Sequence, residues 1–190
     1  VASEILSSET TGIDGSGSRL VAPYTISYEF ELNTAKLESV TSVRYLTASW
    51  DAFGFNFTVT TTEDEYALFN GQARVAASTI SSRTNGADGS RSSVTPYTIH
   101  YEYHPEMGKL LRVFGDGPEG TVEYTTTSVD AFGFNRTETL TRDTYTIIGR
   151  TPAERERIAE EMGVEGEEVD ERTGQAGVAA SEIVSSVTAG

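Results

Sequence analysis

Cysteine is absent from this chain of 190 residues, lysine and histidine occur twice each, and tryptophan once. The missing cysteine excludes disulfides, zinc–thiolate sites and thiol chemistry. Two histidines leave little for acid–base or metal chemistry. No apolar run approaches the roughly 18 residues of a membrane-spanning helix, and the opening Val1-Ala2-Ser3-Glu4-Ile5-Leu6 does not read as a signal sequence. Basic residues are scarce against 29 carboxylates, and the net charge is −15. Sequence-specific nucleic-acid binding runs on clustered Lys and Arg, so none is expected, nor is docking to anionic membranes or membrane insertion. There is no glycine-rich phosphate loop, nucleophile elbow or Ser–His–Asp arrangement. The expectation is a non-enzyme with no cofactor and no metal.

What is present begins with the style of the charge. Twelve of the fourteen basic residues are arginine, the lysines being Lys36 and Lys109. Excess carboxylate with scarce lysine resembles the proteins of salt-loving archaea, although an ordinary acidic surface gives the same count. Self-repulsion at −15 opposes folding at low ionic strength, and salt near 1 M screens it to about 3 Å. The charge is uneven: residues 1–73 hold ten acidic and three basic residues, 74–151 nine and eight, and 152–190 ten and three.

The strongest signal is repetition. Ser7-Ser8, Gly12, Asp14-Gly15-Ser16, Pro23-Tyr24-Thr25-Ile26 and Tyr28-Glu29-Phe30 are answered by Ser81-Ser82, Gly86, Asp88-Gly89-Ser90, Pro96-Tyr97-Thr98-Ile99 and Tyr101-Glu102-Tyr103. Asp51-Ala52-Phe53-Gly54-Phe55-Asn56 recurs as Asp130-Ala131-Phe132-Gly133-Phe134-Asn135. The offset moves from 74 to 79, which places insertions or deletions in loops between the matched blocks. Two repeats are expected, over 1–73 and 74–151. Ala180-Ser181-Glu182-Ile183 with Ser185-Ser186 then reproduces Ala2-Ser3-Glu4-Ile5 with Ser7-Ser8. This last segment either pairs at the edge that a further repeat would cover, adds to a neighbouring subunit's sheet, or is a vestige.

Each repeat reads as antiparallel β. Tyr24, Ile26, Tyr28, Phe30 and Leu32 alternate with polar residues, as do Tyr97, Ile99, Tyr101 and Tyr103. Further strands are expected at 40–45, 55–61, 66–69, 121–127, 136–141 and 145–148, with turns or loops at 10–18, 84–93 and 115–120. Thr151, Pro152 and Glu154 form a capping signature for a helix over 152–163. An acidic linker follows at 164–176, then a strand-like arm at 177–190 bearing Ile183, Val184 and Val187. Strands that succeed one another without helices predict an all-β antiparallel sandwich or barrel built from two tandem homologous units.

The candidate chemical clusters are thin. His100, Glu102 and His104 share one face of a strand, compatible with a metal, but Ser27, Glu29 and Glu31 stand there in the first repeat, and an exposed strand face is the simpler account. The loops at Asp14–Ser18 and Asp88–Ser92 have calcium-like oxygen spacing without the distal acid, and Arg91 opposes a cation; turn chemistry fits them better. Phe53, Phe55, Phe132 and Phe134 are expected to be packing anchors in the core or at an interface, with Asp51 and Asp130 beside them. Asn56 and Asn135 each open a glycosylation triplet. Glu63, Asp64 and Glu65 read as a solvated turn.

Together these point to a structural, self-assembling subunit of a virion, a tail or tail-tube component of a halophilic archaeal virus being the favoured expectation. The expected partners are further copies, in a ring or filament, and other structural proteins of one assembly, on a virion or extracellular surface in high salt. In architecture alone the chain is similar to tail-tube proteins, which are β-barrel subunits of about this size with a flanking helix and stacking arms. A pilus or surface-fibre subunit using strand addition, a capsid decoration protein, and a carbohydrate- or ligand-binding β module are the alternatives.

Overall fold

The computed structural model describes residues 2–69, 71–105, 108–148 and 175–190. The helix expected over 152–163 and most of the linker expected over 164–176 lie outside the described residues. Thirteen strands run in chain order: β1 (Ala2–Leu6), β2 (Glu9–Thr11), β3 (Gly17–Leu20), β4 (Tyr24–Phe30), β5 (Leu37–Val40), β6 (Val43–Trp50), β7 (Asn56–Phe69), β8 (Gln72–Gly86), β9 (Arg91–Tyr103), β10 (Leu110–Gly115), β11 (Val122–Val129), β12 (Arg136–Ile148) and β13 (Gln175–Ala189). Every pairing among them is antiparallel. The all-β expectation therefore holds, in a sandwich-like form.

A ten-stranded sheet follows the order β13-β12-β11-β9-β8-β7-β6-β3-β2, with β10 paired to β9, and β1-β4-β5 form a second, three-stranded sheet. The first part of β9 pairs with β11 and its second part with β10. This splits the sheet, and β9–β10 fold back over β11–β12. The same split occurs at β3 and β4, which pair with β6 and β5 respectively. There the chain breaks at Val21-Ala22-Pro23; from Leu20 to Pro23 the first repeat carries four residues where the second has three, Val94-Thr95-Pro96. In the second repeat Pro96 is absorbed at a register shift of the β8–β9 pair, where a missing N–H is tolerated.

The core sits between the two layers. Ile99, Leu110, Val113, Val122 and Ile147 form one buried cluster, with Tyr97, Tyr101, Tyr103, Tyr124 and Tyr145 packed around it. Among the matched positions of the first repeat, Ile26 and Val43 are buried while Leu37, Val40 and Leu68 are only partly covered. Aromatic pairs tie the layers: Tyr24 stacks on Tyr45 at 4.6 Å, and Tyr97 meets Tyr124 at 4.9 Å. The rise of the offset from 73 to 79 is accounted for at Phe114–Thr121, the last two residues of β10 and a turn containing Pro118–Gly120, which stand against the two residues Thr41-Ser42 between β5 and β6.

Two long strands correct the expected pattern. β7 and β12 run unbroken through segments expected to interrupt them. Glu63-Asp64-Glu65 is not a turn: Glu63 and Glu65 are exposed, whereas Asp64 points inward and is 8% exposed. The period-2 alternation of a half-buried strand continues through an acidic triplet because its middle carboxylate has inward partners.

Burial, with Asp64 beside Tyr45 and Tyr66 and Asp143 beside Tyr124, pushes these three phenols up to about 12. An unfolded tyrosine ionises near 10, so the folded chain keeps protons that the unfolded chain gives up. The contribution is full below about pH 10 and is lost as pH rises towards 12. In a titration followed at 295 nm, tyrosinate absorbance should appear together with loss of the β circular-dichroism signal. Free ionisation near pH 10 with the sheet intact would contradict this packing.

Candidate functional site

The β2–β3 and β6–β7 turns of the first repeat and the β8–β9 and β11–β12 turns of the second lie along one rim of the large sheet, and the best-kept hexapeptide forms two of them. Asp51 organises the turn between β6 and β7: its carboxylate accepts the Phe55 N–H at 2.8 Å, the Asn56 N–H at 3.1 Å and Asn56 Nδ2 at 2.8 Å. Asp130 does the same for Phe134, Asn135 and Asn135 Nδ2 at 2.9, 3.1 and 2.6 Å. Partial desolvation pushes both carboxyls up, but the bonds from Asn56 and Asn135 and from the turn backbones outweigh it and hold both below the ordinary aspartate value. Gly54 and Gly133 take the left-handed conformation that closes the turn. The repetition of this hexapeptide is thus turn chemistry.

The phenylalanines it carries are not core anchors. Phe53, Phe55, Phe132 and Phe134 are 80%, 62%, 81% and 75% exposed. Each pair stacks on itself, at 5.9 Å for Phe53–Phe55 and 6.4 Å for Phe132–Phe134. A turn of this kind projects its side chains past the sheet rim, where none of the described residues forms a second layer over them. The amide nitrogens of Asn56 and Asn135 are already donated to Asp51 and Asp130, inside the turn. The neighbouring loops are Asx turns: Asp14 Oδ1 accepts from the N–H and hydroxyl of Ser16, and Asp88 Oδ1 from those of Ser90.

His100 is partnered by Asp116 at 2.8 Å and stacks on Phe114, over which Arg112 also lies. Glu102 faces Arg112 across the β9–β10 pair. Among the described residues no group of three or more His, Asp or Glu side chains is placed to hold a metal ion, and no helix there is long and apolar enough to cross a membrane.

The contacts that organise the chain lie where one repeat meets the next segment. Asp64, near the end of β7, accepts the Ser78 hydroxyl of β8 at 2.5 Å and the Tyr45 hydroxyl at 3.2 Å. Asp143, 6% exposed and 79 residues on, accepts the Ser181 hydroxyl of β13 at 2.5 Å and is bonded by Tyr124. Thr58 and Thr84 hydroxyls lie 2.8 Å apart between β7 and β8; Thr137 and Thr188 lie 2.9 Å apart between β12 and β13. β13 therefore occupies on β12 the place that β8 occupies on β7, with a bulge at Val184 taking up its one extra residue. The arm pairs within the chain, and its strand begins at Gln175, two residues before the expected 177. Asp64 and Asp143 were missed as organising residues, although Thr-x-Asp-x-Tyr at 62–66 and 141–145 carried the signal.

A rank of hydroxyls crosses the large sheet at the level of these pairs. In register, Thr10, Ser18, Ser49 and Thr58 stand on β2, β3, β6 and β7. Thr84, Ser92, Ser128 and Thr137 repeat the series on β8, β9, β11 and β12, and Thr188 begins it again on β13.

The two ends of that rank differ from its interior. β8 is paired on both edges, by β7 and β9. Among the described residues β13 is paired on one edge only, by β12, and β2 only by β3. Ile183 and Val187 on β13 are 68% and 66% exposed, and Val184 is also exposed. Open strand edges carrying apolar side chains are sites of intermolecular pairing.

Phe53→Ala and Phe132→Ala should each change unfolding free energy by less than about 0.5 kcal/mol, as exposed positions do; a loss of about 3–5 kcal/mol would place them in a core. Ser78→Ala and Ser181→Ala should each cost about 1–3 kcal/mol, because a buried carboxylate loses a donor. Denaturant melts check both sets. Comparison with known proteins finds no match to this chain among family models, curated proteins or solved structures.

Proposed function

We propose that this protein is a structural subunit that assembles through its sheet edges into a fibre, of the surface-fibre or virion kind. The observation that carries the reading is the pair of edges, β13 and β2, left open among the described residues at the two ends of one antiparallel sheet whose interior strands repeat. A tail-tube subunit calls for a closed barrel, so the edges favour a linear fibre over a stacked ring. The exposed Phe53–Phe55 and Phe132–Phe134 pairs on one rim supply a second contact row, suited to neighbouring fibres or to other structural proteins of the same assembly. The paucity of acid–base pairs in clefts argues against a reaction, and the net charge of −15 suits assembly in high salt, where repulsion between acidic copies is screened.

The test is mass in solution by light scattering across salt from about 0.1 to 3 M, with negative-stain microscopy of the same samples. Filaments that lengthen with salt are expected. A monomer at high concentration throughout, binding glycans on the aromatic rim, would replace this reading with a ligand-binding module.

A further inference from the structure

The segment at β13 and the segment at β1–β2 are alternative occupants of one place. Both carry Ala-Ser-Glu-Ile followed by Ser-Ser. β13 holds the inner edge of that place, on β12; β1 and β2 hold the outer edge, on β4 and β3. β8 does both at once, lying between β7 and β9. Resting on the structural-subunit reading, we propose that copies join head to tail by strand exchange: the outer edge of β13 takes β3 and β4 of a second copy, displacing that copy's β1 and β2.

Strand direction selects exchange over simple edge contact. Alternation along the sheet order makes β13 and β2 run the same way, so abutting copies would form a parallel pair in a sheet that is otherwise antiparallel. Exchange keeps every neighbour antiparallel. It also supplies a register. Thr84 faces Ser92 and Ile80 faces Tyr97 in the β8–β9 pair; the matched partners are Thr188 with Ser18, and Ile183 with Tyr24, of the next copy. Ile80 is half-buried beside Tyr97, whereas Ile183 lies exposed, so joining covers apolar surface that one copy leaves in water. The strand displaced is the weaker one: β1 and β2 are five and three residues long and interrupted at Ser7-Ser8, while β13 is a continuous fifteen. Strand-for-strand replacement conserves most backbone hydrogen bonds, which makes such exchange a low-cost route to association.

The absence of native cysteine gives a clean crosslinking test. Ser18 and Thr188 stand seven strand spacings apart in the sheet. The double variant Ser18→Cys, Thr188→Cys, oxidised in about 2–3 M salt, should give a ladder of covalent oligomers on a non-reducing gel. Thr84→Cys, Ser92→Cys, on the same hydroxyl rank, should close within one chain and calibrates the geometry. Thr10→Cys, Ser18→Cys should lock β2 onto β3 and abolish assembly until a reductant is added. Filaments that form without the ladder, or that form with β2 locked, would overturn exchange while leaving the fibre reading in place. Crosslinking of Thr188→Cys alone into dimers would indicate a symmetric β13–β13 contact and overturn exchange as well. No assembly by any variant or by the parent chain would remove both.

Discussion

The structure depends on a strand from one segment closing the sheet of the segment before it. Backbone N–H and C=O groups must find partners, and a repeat of this kind cannot satisfy its own last strand. β7 ends the first repeat with its outer edge open until β8 arrives, and β12 ends the second until β13 does. The joints are fastened alike. A buried carboxylate, Asp64 or Asp143, accepts a serine hydroxyl from the incoming strand and is bonded by a tyrosine from its own side. A buried charge is tolerated only where donors surround it, so these aspartates fix which serine must sit opposite and hence the register. The tyrosine stacks behind them couple each joint to the fold of its own repeat.

Much of this was legible in the sequence. Alternation of Tyr24, Ile26 and Tyr28 with polar residues gave β4, and the matched Tyr97–Tyr103 stretch gave the second half of β9. The likeness of Ala180–Ile183 to Ala2–Ile5 pointed to an arm with strand character, which β13 has. What misled was composition standing in for geometry. Glu63-Asp64-Glu65 looks like a solvated turn because charged triplets usually are, yet strand alternation buries the middle residue where donors await it. Phe53 and Phe132 look like core because phenylalanine usually is. Local turn closure by Asp51 and Asp130 carries them past the rim instead, and no count of apolar residues reports that. The repeat itself held the correction: Asp64 and Tyr66 recur as Asp143 and Tyr145, whereas Glu63 and Glu65 become Arg142 and Thr144. What recurs is the inward pair, and what varies faces water.

The hydroxyl rank and the acidic surface bear on the same property. In the rim half of the large sheet most described side chains are only partly covered, with Thr and Ser at matched levels on strand after strand. Such a layer is held by cross-strand pairs rather than by a core. In the fibre proposed above, each added strand would meet the same neighbour chemistry as the last. Net charge of −15 would oppose such extension until salt screens it. On that proposal, cohesion along the strands and repulsion between copies would set a threshold that ionic strength can move.

Electron cryo-microscopy of fibres grown in salt would test most directly whether one sheet continues from copy to copy. With β2 displaced, each copy contributes eight strands to the sheet path, which at about 4.8 Å per strand gives an axial rise of about 38 Å, with a sub-period near 19 Å from the two similar repeats. A fibre with that rise and strands crossing its axis is the expected result. Closed rings, or copies stacked through the phenylalanine rim with the sheet edges left open, would contradict the account.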